Sequence, residues 1–265
     1  MDWEPFRADH AIDRVAATIF FLKELDADTQ DDLAVAARKA AHAEGLTERL
    51  VEQSITLPPN GTVVQLQVNR GEIGPTRIGF KRSTNEGRLV DEVLIGSKHI
   101  SIRTRQYRRW DNFFHLISNL IRPMADACPP VSDVQAIRLE YLDRFLAVSD
   151  QADHFQVLLA DSKYLVPAVA EKTSDLHVHS GWFDNLESET IRRLTNVNVD
   201  VLTRPVATAA GHRRRITILT LGRVECLNGP LDHPIERFKP LHSHLNATFR
   251  GIISPDAAAR VGLKG

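Results

Sequence analysis

Hydrophobic and polar residues alternate along much of the chain, and this pattern predicts a strand-rich protein. The stretch from Val15 to Leu22 is apolar at all but one position, as expected for a central strand that is covered on both faces. Period-two alternation then recurs in four short segments, at 64–68, 78–80, 89–95 and 100–102. The short turns between them, such as the one at Asn85–Gly87, favour an antiparallel meander.

Three segments have helical spacing instead. Apolar residues recur from Leu33 to Ala41, with Thr29 as the expected N-cap and a glycine as the C-terminal stop. A second helix is predicted over Trp110 to Ala127, where Pro123 should kink or end it. The last long helix is predicted over 241–252, and Ser254 followed by proline should open a short tail helix.

The remaining strands are predicted at 137–145, 176–183, 194–202 and 216–227, while residues 148–173 have no clear pattern. The resulting order is β-α-ββββ-α-β, then βββ-α. This order lacks the regular strand–helix alternation of a parallel doubly wound sheet. We therefore expect an α+β fold with a mainly antiparallel sheet and three principal helices. We expect a single domain over 1–265, with a division at Pro129–Pro130 into halves 1–130 and 131–265 as the alternative.

Composition narrows the class of protein. The chain has 265 residues, and 33 Lys and Arg balance 34 Asp and Glu, which argues against nucleic-acid binding through whole-chain charge. Cys128 and Cys226 form no Cys-x-x-Cys pair, so a cysteine-based zinc site is not expected. The first ten residues lack the basic and apolar regions of a signal peptide, and no early apolar stretch is long enough to cross a bilayer. The sequence therefore predicts a cytoplasmic protein without a membrane partner.

Several short motifs resemble a sporadically distributed bacterial family of about 250 residues and unknown function. They are Tyr107-x-x-Trp110-x-x-Phe113, Arg138-Leu139-x-Tyr141-x-Asp143-Arg144, and Leu241-His242 followed by Phe249 and Ile253. The family often has Asn-Arg where this chain has Asp143-Arg144. The resemblance implies a cytoplasmic bacterial protein whose gene often lies near mobile or defence-related genes, and it implies no established catalytic activity.

The familiar catalytic and cofactor motifs are missing. The sequence contains no Walker A motif, no Gly-x-Gly-x-x-Gly, no His-Glu-x-x-His and no Gly-x-Ser-x-Gly, so we expect no cofactor. His177 and His179 lie two apart on a predicted strand and would share one face. Because no third ligand is evident, we treat this pair as a weak metal candidate and predict no tightly bound zinc.

An alternative enzymatic interpretation rests on three residues. Asp161 and Lys163 follow an apolar run, and Asp143 lies upstream. This spacing is similar to the acid-x-lysine strand of restriction-like nucleases, in which two acidic groups hold Mg²⁺ and the lysine orients water. The alternative function is therefore a metal-dependent nuclease, which requires these three side chains to converge.

Basic residues supply a second alternative, nucleic-acid binding. Four arginines lie close to Tyr107 and Trp110, and a second basic cluster follows further along the chain; the candidates are Arg103, Arg105, Arg108, Arg109, Arg213, Arg214 and Arg215. Such groups can contact phosphates and stack bases. The helical position of Trp110, one turn before Phe113, favours a packing role for its indole.

The sequence favours a non-enzymatic component that binds a protein partner or self-associates, with nucleic acid as the alternative partner. Asp143 lies on the apolar face of its strand, between Tyr141 and Phe145. We therefore expect it to be buried and paired with an arginine or with backbone donors.

Overall fold

The ten strands in the described part of the chain belong to one antiparallel sheet. The computed structural model describes residues 2–53, 76–149, 152–166, 175–186, 189–205 and 212–263. The strands are β1 (Trp3–Pro5), β2 (Ile12–Phe21), β3 (Glu48–Gln53), β4 (Thr76–Ser83), β5 (Leu89–Ile95), β6 (His99–Thr104), β7 (Val134–Ala147), β8 (Leu176–Asn185), β9 (Ile191–Pro205) and β10 (His212–Cys226). The helices are α1 (Ala27–Ala43), α2 (Trp110–Ala127), α3 (Phe238–Arg250) and α4 (Pro255–Arg260). The predicted α+β class, with a mainly antiparallel sheet and three principal helices, is confirmed.

The strand order across the sheet is β3-β4-β5-β6-β2-β7-β10-β9-β8. The short strand β1 pairs with the C-terminal end of β7. The two halves of the chain share one sheet. β7, the first strand after residue 130, pairs with β2 of the first half on one side and with β10 of the second half on the other. The two halves of the chain have similar strand connectivity. β2 in the first half and β7 in the second are central strands, and in each half the chain returns to this strand through a meander whose last strand, β6 or β10, lies beside it.

The helices cover one face of the sheet. Residues of β2, β6 and β7 that face α1 and α2 form a large core with Leu33, Ile117 and Leu120. A second core, around Phe145 and Ile252, lies beneath the end of α3 and α4. None of the helices in the described part of the chain has the length and apolar composition needed to cross a bilayer.

Two positions in this arrangement favour glycine for different reasons. Gly87 adopts a φ of 77° in the turn between β4 and β5, a left-handed conformation that glycine tolerates best. Gly222 of β10 lies under α3, where an added Cβ would be 2.5 Å from Cδ1 of Leu241. The absence of a side chain at Gly222 therefore lets α3 approach the sheet.

Several local expectations were wrong. The pattern had favoured Thr29 as the N-cap of α1, but the N-cap is Asp26. The carboxylate of Asp26 accepts a hydrogen bond from the backbone N–H of Thr29. Pro123 lies inside α2, which continues to Ala127, and its exposed ring faces solvent. The structure has β3 at 48–53, which the pattern did not predict, and the predicted strand at 64–68 lies outside the described residues.

The segment after β7 has little regular structure among its described residues. A short 3₁₀ helix spans His154–Gln156, and Leu158 forms an isolated bridge with Ile253. The predicted tail helix is confirmed as α4. Ser254 caps it, because its hydroxyl accepts a hydrogen bond from the backbone N–H of Ala257 at 3.2 Å.

Candidate functional site

A cavity of about 550 Å³ opens between the start of α2, the strands β7 and β10, and α3. It lies on the helix-covered face of the sheet. Six of the side chains that line it carry the argument below: Tyr107, Trp110, Tyr141, Asp143, Thr220 and His242.

Strand periodicity and helix position bring these groups together. Tyr141 and Asp143 are two apart on β7 and therefore project from the same face. Thr220 of β10 is directly opposite Tyr141 in the register of the two strands. Trp110 is the first residue of α2, and His242 is on the first turns of α3, so each helix contributes a ring to the cavity.

The aromatic groups form a connected wall. The indole of Trp110 stacks on the imidazole of His242, with ring centroids 4.2 Å apart and an interplanar angle of 7°. A hydrogen bond of 2.9 Å joins the hydroxyl of Tyr141 to Nδ1 of His242. The rings of Tyr107 and Tyr141 meet edge to face, with centroids 6.0 Å apart. Trp110 is also packed against the larger core, as expected.

Asp143 is the most unusual group in the cavity. It is only 3% exposed, which confirms the predicted burial. Its predicted partner is missing, because no hydrogen bond or ion pair of the described residues reaches its carboxyl group. The neighbouring Arg144 projects from the opposite face of β7, where its guanidinium pairs with Asp13 at 2.8 Å. Burial raises the pKa of Asp143 from 3.8 to about 8, with no contribution from any cation of the described residues.

Two further polar atoms at the cavity lack partners. Nδ1 of His10 and the hydroxyl oxygen of Thr220 are buried and make no hydrogen bond to the described residues. Thr220 is 1% exposed. Buried polar groups in folded proteins nearly always have a partner, so three unpaired groups around one cavity are a departure that needs an explanation.

Burial also keeps the surrounding rings uncharged at neutral pH. Desolvation lowers the pKa of His242 to about 4, although the nearby Asp111 acts in the opposite direction. Desolvation raises the pKa of both Tyr107 and Tyr141 above the usual value for a phenol. The aromatic part of the cavity wall is therefore neutral at pH 7 and lies beside the buried carboxyl group of Asp143.

The residues of the nuclease hypothesis are not brought together. Asp161 and Lys163 are exposed in an irregular turn, and neither lines the cavity that contains Asp143. Lys163 instead borders a separate depression beside Tyr164 and Trp182. Within the described ranges, no three Asp, Glu, His or Cys side chains cluster closely enough to hold a metal ion.

The histidine pair is on the edge strand β8. His177 and His179 are opposite Asp200 and Asn198 of β9, on the face that the described helices leave uncovered. Nδ1 of His177 is 2.7 Å from a carboxylate oxygen of Asp200, and no third ligand joins them among the described residues.

The basic candidates are spread over several surfaces. Arg103 pairs with Glu92 at 3.0 Å on the uncovered face, and Arg105 is exposed just after β6. Arg108 and Arg109 are exposed and border the cavity that contains Asp143.

The second basic cluster is divided between the two faces of β10. Arg214 donates a hydrogen bond to the carbonyl of Ala152 at 2.8 Å, on the helix-covered side. Arg215 follows it in the strand and projects from the other face, and the side chain of Arg213 lies outside the described part of the structure.

The sheet face that the described helices leave uncovered is a second feature, which we call the open face. Its centre is apolar, with Leu142 of β7 opposite Leu219 of β10, and Phe183 of β8 is 58% exposed near its edge. Arginines and acidic residues alternate around this centre, and they form the pairs Arg138–Glu140, Arg144–Asp13, Arg192–Glu225 and Arg223–Glu225. Buried oxygens of Thr217 and Asn198 on this face have no hydrogen-bond partner among the described residues.

No protein-family model matches the chain, and no curated protein matches it with significant similarity.

Proposed function

We propose that this protein is a non-enzymatic recognition component whose aromatic cavity binds a small polar ligand. The observation that carries the proposal is the buried, unpaired carboxyl group of Asp143, which faces a cavity of about 550 Å³. Ligand pockets typically enclose about 300–1,000 Å³ and combine apolar walls with a few convergent polar groups. A ligand with hydrogen-bonding groups would satisfy Asp143, Thr220 and His10 together.

The proposal accommodates the expectations from the sequence. Several positions that carry the family resemblance line this cavity, namely Tyr107, Trp110, Tyr141, Asp143, His242 and Phe249. The expected setting, a bacterial cytoplasmic system related to defence, belongs to the proposal as the environment that would supply the ligand. Nucleic-acid binding stays a separate prediction.

The test is an NMR binding screen that detects a bound ligand through the indole N–H signal of Trp110, which lines the cavity. Fragments of three classes, neutral, anionic and cationic, are added to ¹⁵N-labelled protein, and the indole N–H signals of the three tryptophans are followed. A ligand in the cavity should shift the signal of Trp110 and leave that of Trp182 unchanged, because Trp182 stacks on Tyr164 elsewhere. A Trp110→Phe variant assigns the signal.

Two matched variants localise the binding. Thr220→Val removes the unpaired cavity hydroxyl, and Thr217→Val makes the same change on the opposite face of the same strand. We expect Thr220→Val to weaken binding and Thr217→Val to leave it unchanged. If no fragment of any class shifts the Trp110 signal, the proposed function is wrong.

A second candidate function, self-association, is favoured by the open face. The open face carries the exposed Phe183 and the half-buried Leu142 and Leu219, together with both cations and acids. A surface that carries both signs of charge can pair with a second copy of itself, and twofold dimers are the commonest assembly of soluble proteins. We therefore propose a second copy of this chain as the occupant of the open face.

Sedimentation velocity over a range of concentrations tests this assembly. We expect the wild-type protein to dimerise and the double variant Phe183→Ser, Leu219→Ser to sediment as a monomer. Val35→Ser is the matched control, because Val35 is 72% exposed on α1. A wild-type monomer at every concentration, or a dimer that survives the double substitution, would contradict the assignment.

A further inference from the structure

Four features of the cavity define the chemistry of the ligand. The first two are a carboxyl group without a counter-charge from the described residues and two unpaired polar atoms. The other two are a neutral aromatic wall and an apolar part of the lining that includes Leu245 and Phe249. We infer that the cavity binds the ammonium group of a compact primary amine, with Asp143 as its counter-ion. This inference rests on the proposed function and names its ligand class.

The unpaired groups match the valence of a primary ammonium group. An ammonium group of the form –NH₃⁺ has three N–H donors and no acceptor. Three acceptors at the cavity have no donor from the described residues: the Asp143 carboxylate, the hydroxyl oxygen of Thr220 and Nδ1 of His10. A primary ammonium group therefore has as many N–H donors as the cavity has acceptors without a described donor.

The topology places one of the other two acceptors on each side of Asp143. Asp143 pairs with Ile218 across the β7–β10 ladder, so Thr220 is its diagonal neighbour on the same face, a relation that spans about 7–8 Å. His10 precedes Ala11, whose carbonyl accepts a hydrogen bond from the backbone N–H of Arg144 at 2.8 Å. His10 is therefore at the other edge of β7, beside Asp143.

The aromatic wall also favours a cation. Trp110, Tyr107 and Tyr141 line the same cavity as the carboxyl group, and electron-rich aromatic rings attract cations and not anions. The stacked His242 adds no positive charge, because burial lowers its pKa to about 4 and keeps it neutral near pH 7. An anionic ligand would instead approach a buried acid across these electron-rich rings.

The charged and titratable groups around Asp143 come from four parts of the fold. They are Asp9 and His10 before β2, Tyr107, Arg108 and Arg109 before α2, Tyr141 on β7 itself, and His242 on α3. Arg108 and Arg109 are exposed at the mouth and do not alter the pKa of the carboxyl group, which burial alone raises. The amine must therefore displace a proton from Asp143, and its affinity should increase with pH up to about 8.

Four probes with one common phenylethyl body separate the alternatives: 2-phenylethylammonium, its N,N,N-trimethyl derivative, 2-phenylethanol and the anionic 3-phenylpropionate. Hydrogen bonds to charged groups are the stronger ones, so we expect the primary ammonium to bind at least about tenfold more tightly than the alcohol. We expect the trimethyl derivative to bind more weakly than the primary ammonium, because it has no N–H donors. The anion should not bind.

Substitutions of the cavity residues test the same assignment with one ligand, 2-phenylethylammonium. Asp143→Asn should weaken 2-phenylethylammonium binding by about tenfold or more and abolish its dependence on pH. Thr220→Val should weaken it by a smaller factor, and Thr217→Val should have no effect. Calorimetry in two buffers of different ionisation enthalpy should show proton release by the wild-type protein and none by Asp143→Asn.

The outcomes distinguish this inference from the proposed function. If the alcohol or the anion shifts the Trp110 signal and the ammonium probe does not, the cavity is a ligand site and the amine assignment is wrong. An affinity that decreases with pH would also overturn the assignment, because it would mean that a protonated Asp143 donates to the ligand. If no probe binds, the amine assignment is wrong, and the broader fragment screen decides the proposed function.

Discussion

Replacing Asp143 with Asn should stabilise the protein, and the gain should grow with pH. The carboxyl group is 3% exposed, has no hydrogen bond or ion pair from the described residues, and has its pKa raised by burial from 3.8 to about 8. An acid with a higher pKa in the folded state keeps its proton there and loses it on unfolding. Deprotonation therefore favours the unfolded chain, and the free energy of unfolding should decrease as pH rises from about 4 to about 8.

The magnitude follows from the same two pKa values. The interval between 3.8 and about 8, at about 1.4 kcal/mol per pK unit, sets an upper limit of about 6 kcal/mol on the stability lost once the pH is above 8. Water in the cavity solvates the charge and reduces this cost, so we expect about 2–4 kcal/mol. The amide that replaces the carboxyl group in Asp143→Asn has no proton to lose, and its contribution should be independent of pH.

Urea denaturation of both proteins from pH 5 to pH 9 measures this difference. The variant should gain stability relative to the wild type up to about pH 8, and the difference should be constant above it. A wild-type protein that becomes more stable than Asp143→Asn as the pH rises would refute the reasoning, because it would show an ionised and paired carboxylate. The sequence alone had suggested such a pairing.

Three other substitutions test the surroundings of the cavity by thermal or urea denaturation. Trp110→Ala should cost about 2–3 kcal/mol through loss of its stacking on His242 and its core contacts, and a variant as stable as the wild type would contradict the packing role. Gly222→Val should cost about 1–3 kcal/mol or more by pushing α3 from the sheet, whereas the control Gly229→Ala, with open space around it, should be neutral. Ser254→Ala should cost about 1 kcal/mol by removing the cap of α4, and no change would mean that the cap contributes nothing.

Local patterns predicted the elements where one physical signal dominates. Helix α2 was predicted with the observed bounds, Trp110 to Ala127, because its apolar stripe is continuous from Phe113 to Met124. Pro123 did not end the helix, which continues for four more residues to Ala127. At the start of α1, Asp26 and Thr29 both have side chains that can cap, and only the backbone path decides that Asp26 accepts the hydrogen bond.

The site depends on contacts that are distant in sequence. Strand periodicity correctly placed Tyr141 and Asp143 on the buried face. The expected arginine or backbone donor for Asp143 is not found among the described residues, and the adjacent Arg144 projects from the other face, where it pairs with Asp13. The roles of His10 and Thr220 had no sequence signal. Each is an ordinary polar residue until β10 and the segment before β2 are placed beside β7.

The cavity lies where the two halves of the chain meet, and this position explains why its acid can stay unpaired. Tyr107 and Trp110 come from the end of the first half, whereas Asp143 and His242 come from the first strand and the helix of the second. Each half contributes aromatic surface, so the seam is apolar enough to raise the pKa of a carboxyl group, yet the described residues of neither half supply a cation to that carboxyl. A buried acid without a partner costs stability, and a fold that needed Asp143 only for packing would be better served by an apolar residue of similar size. The cost is recovered when a ligand brings the missing positive charge, which is why we assign the unpaired acid to binding and not to the stability of the fold.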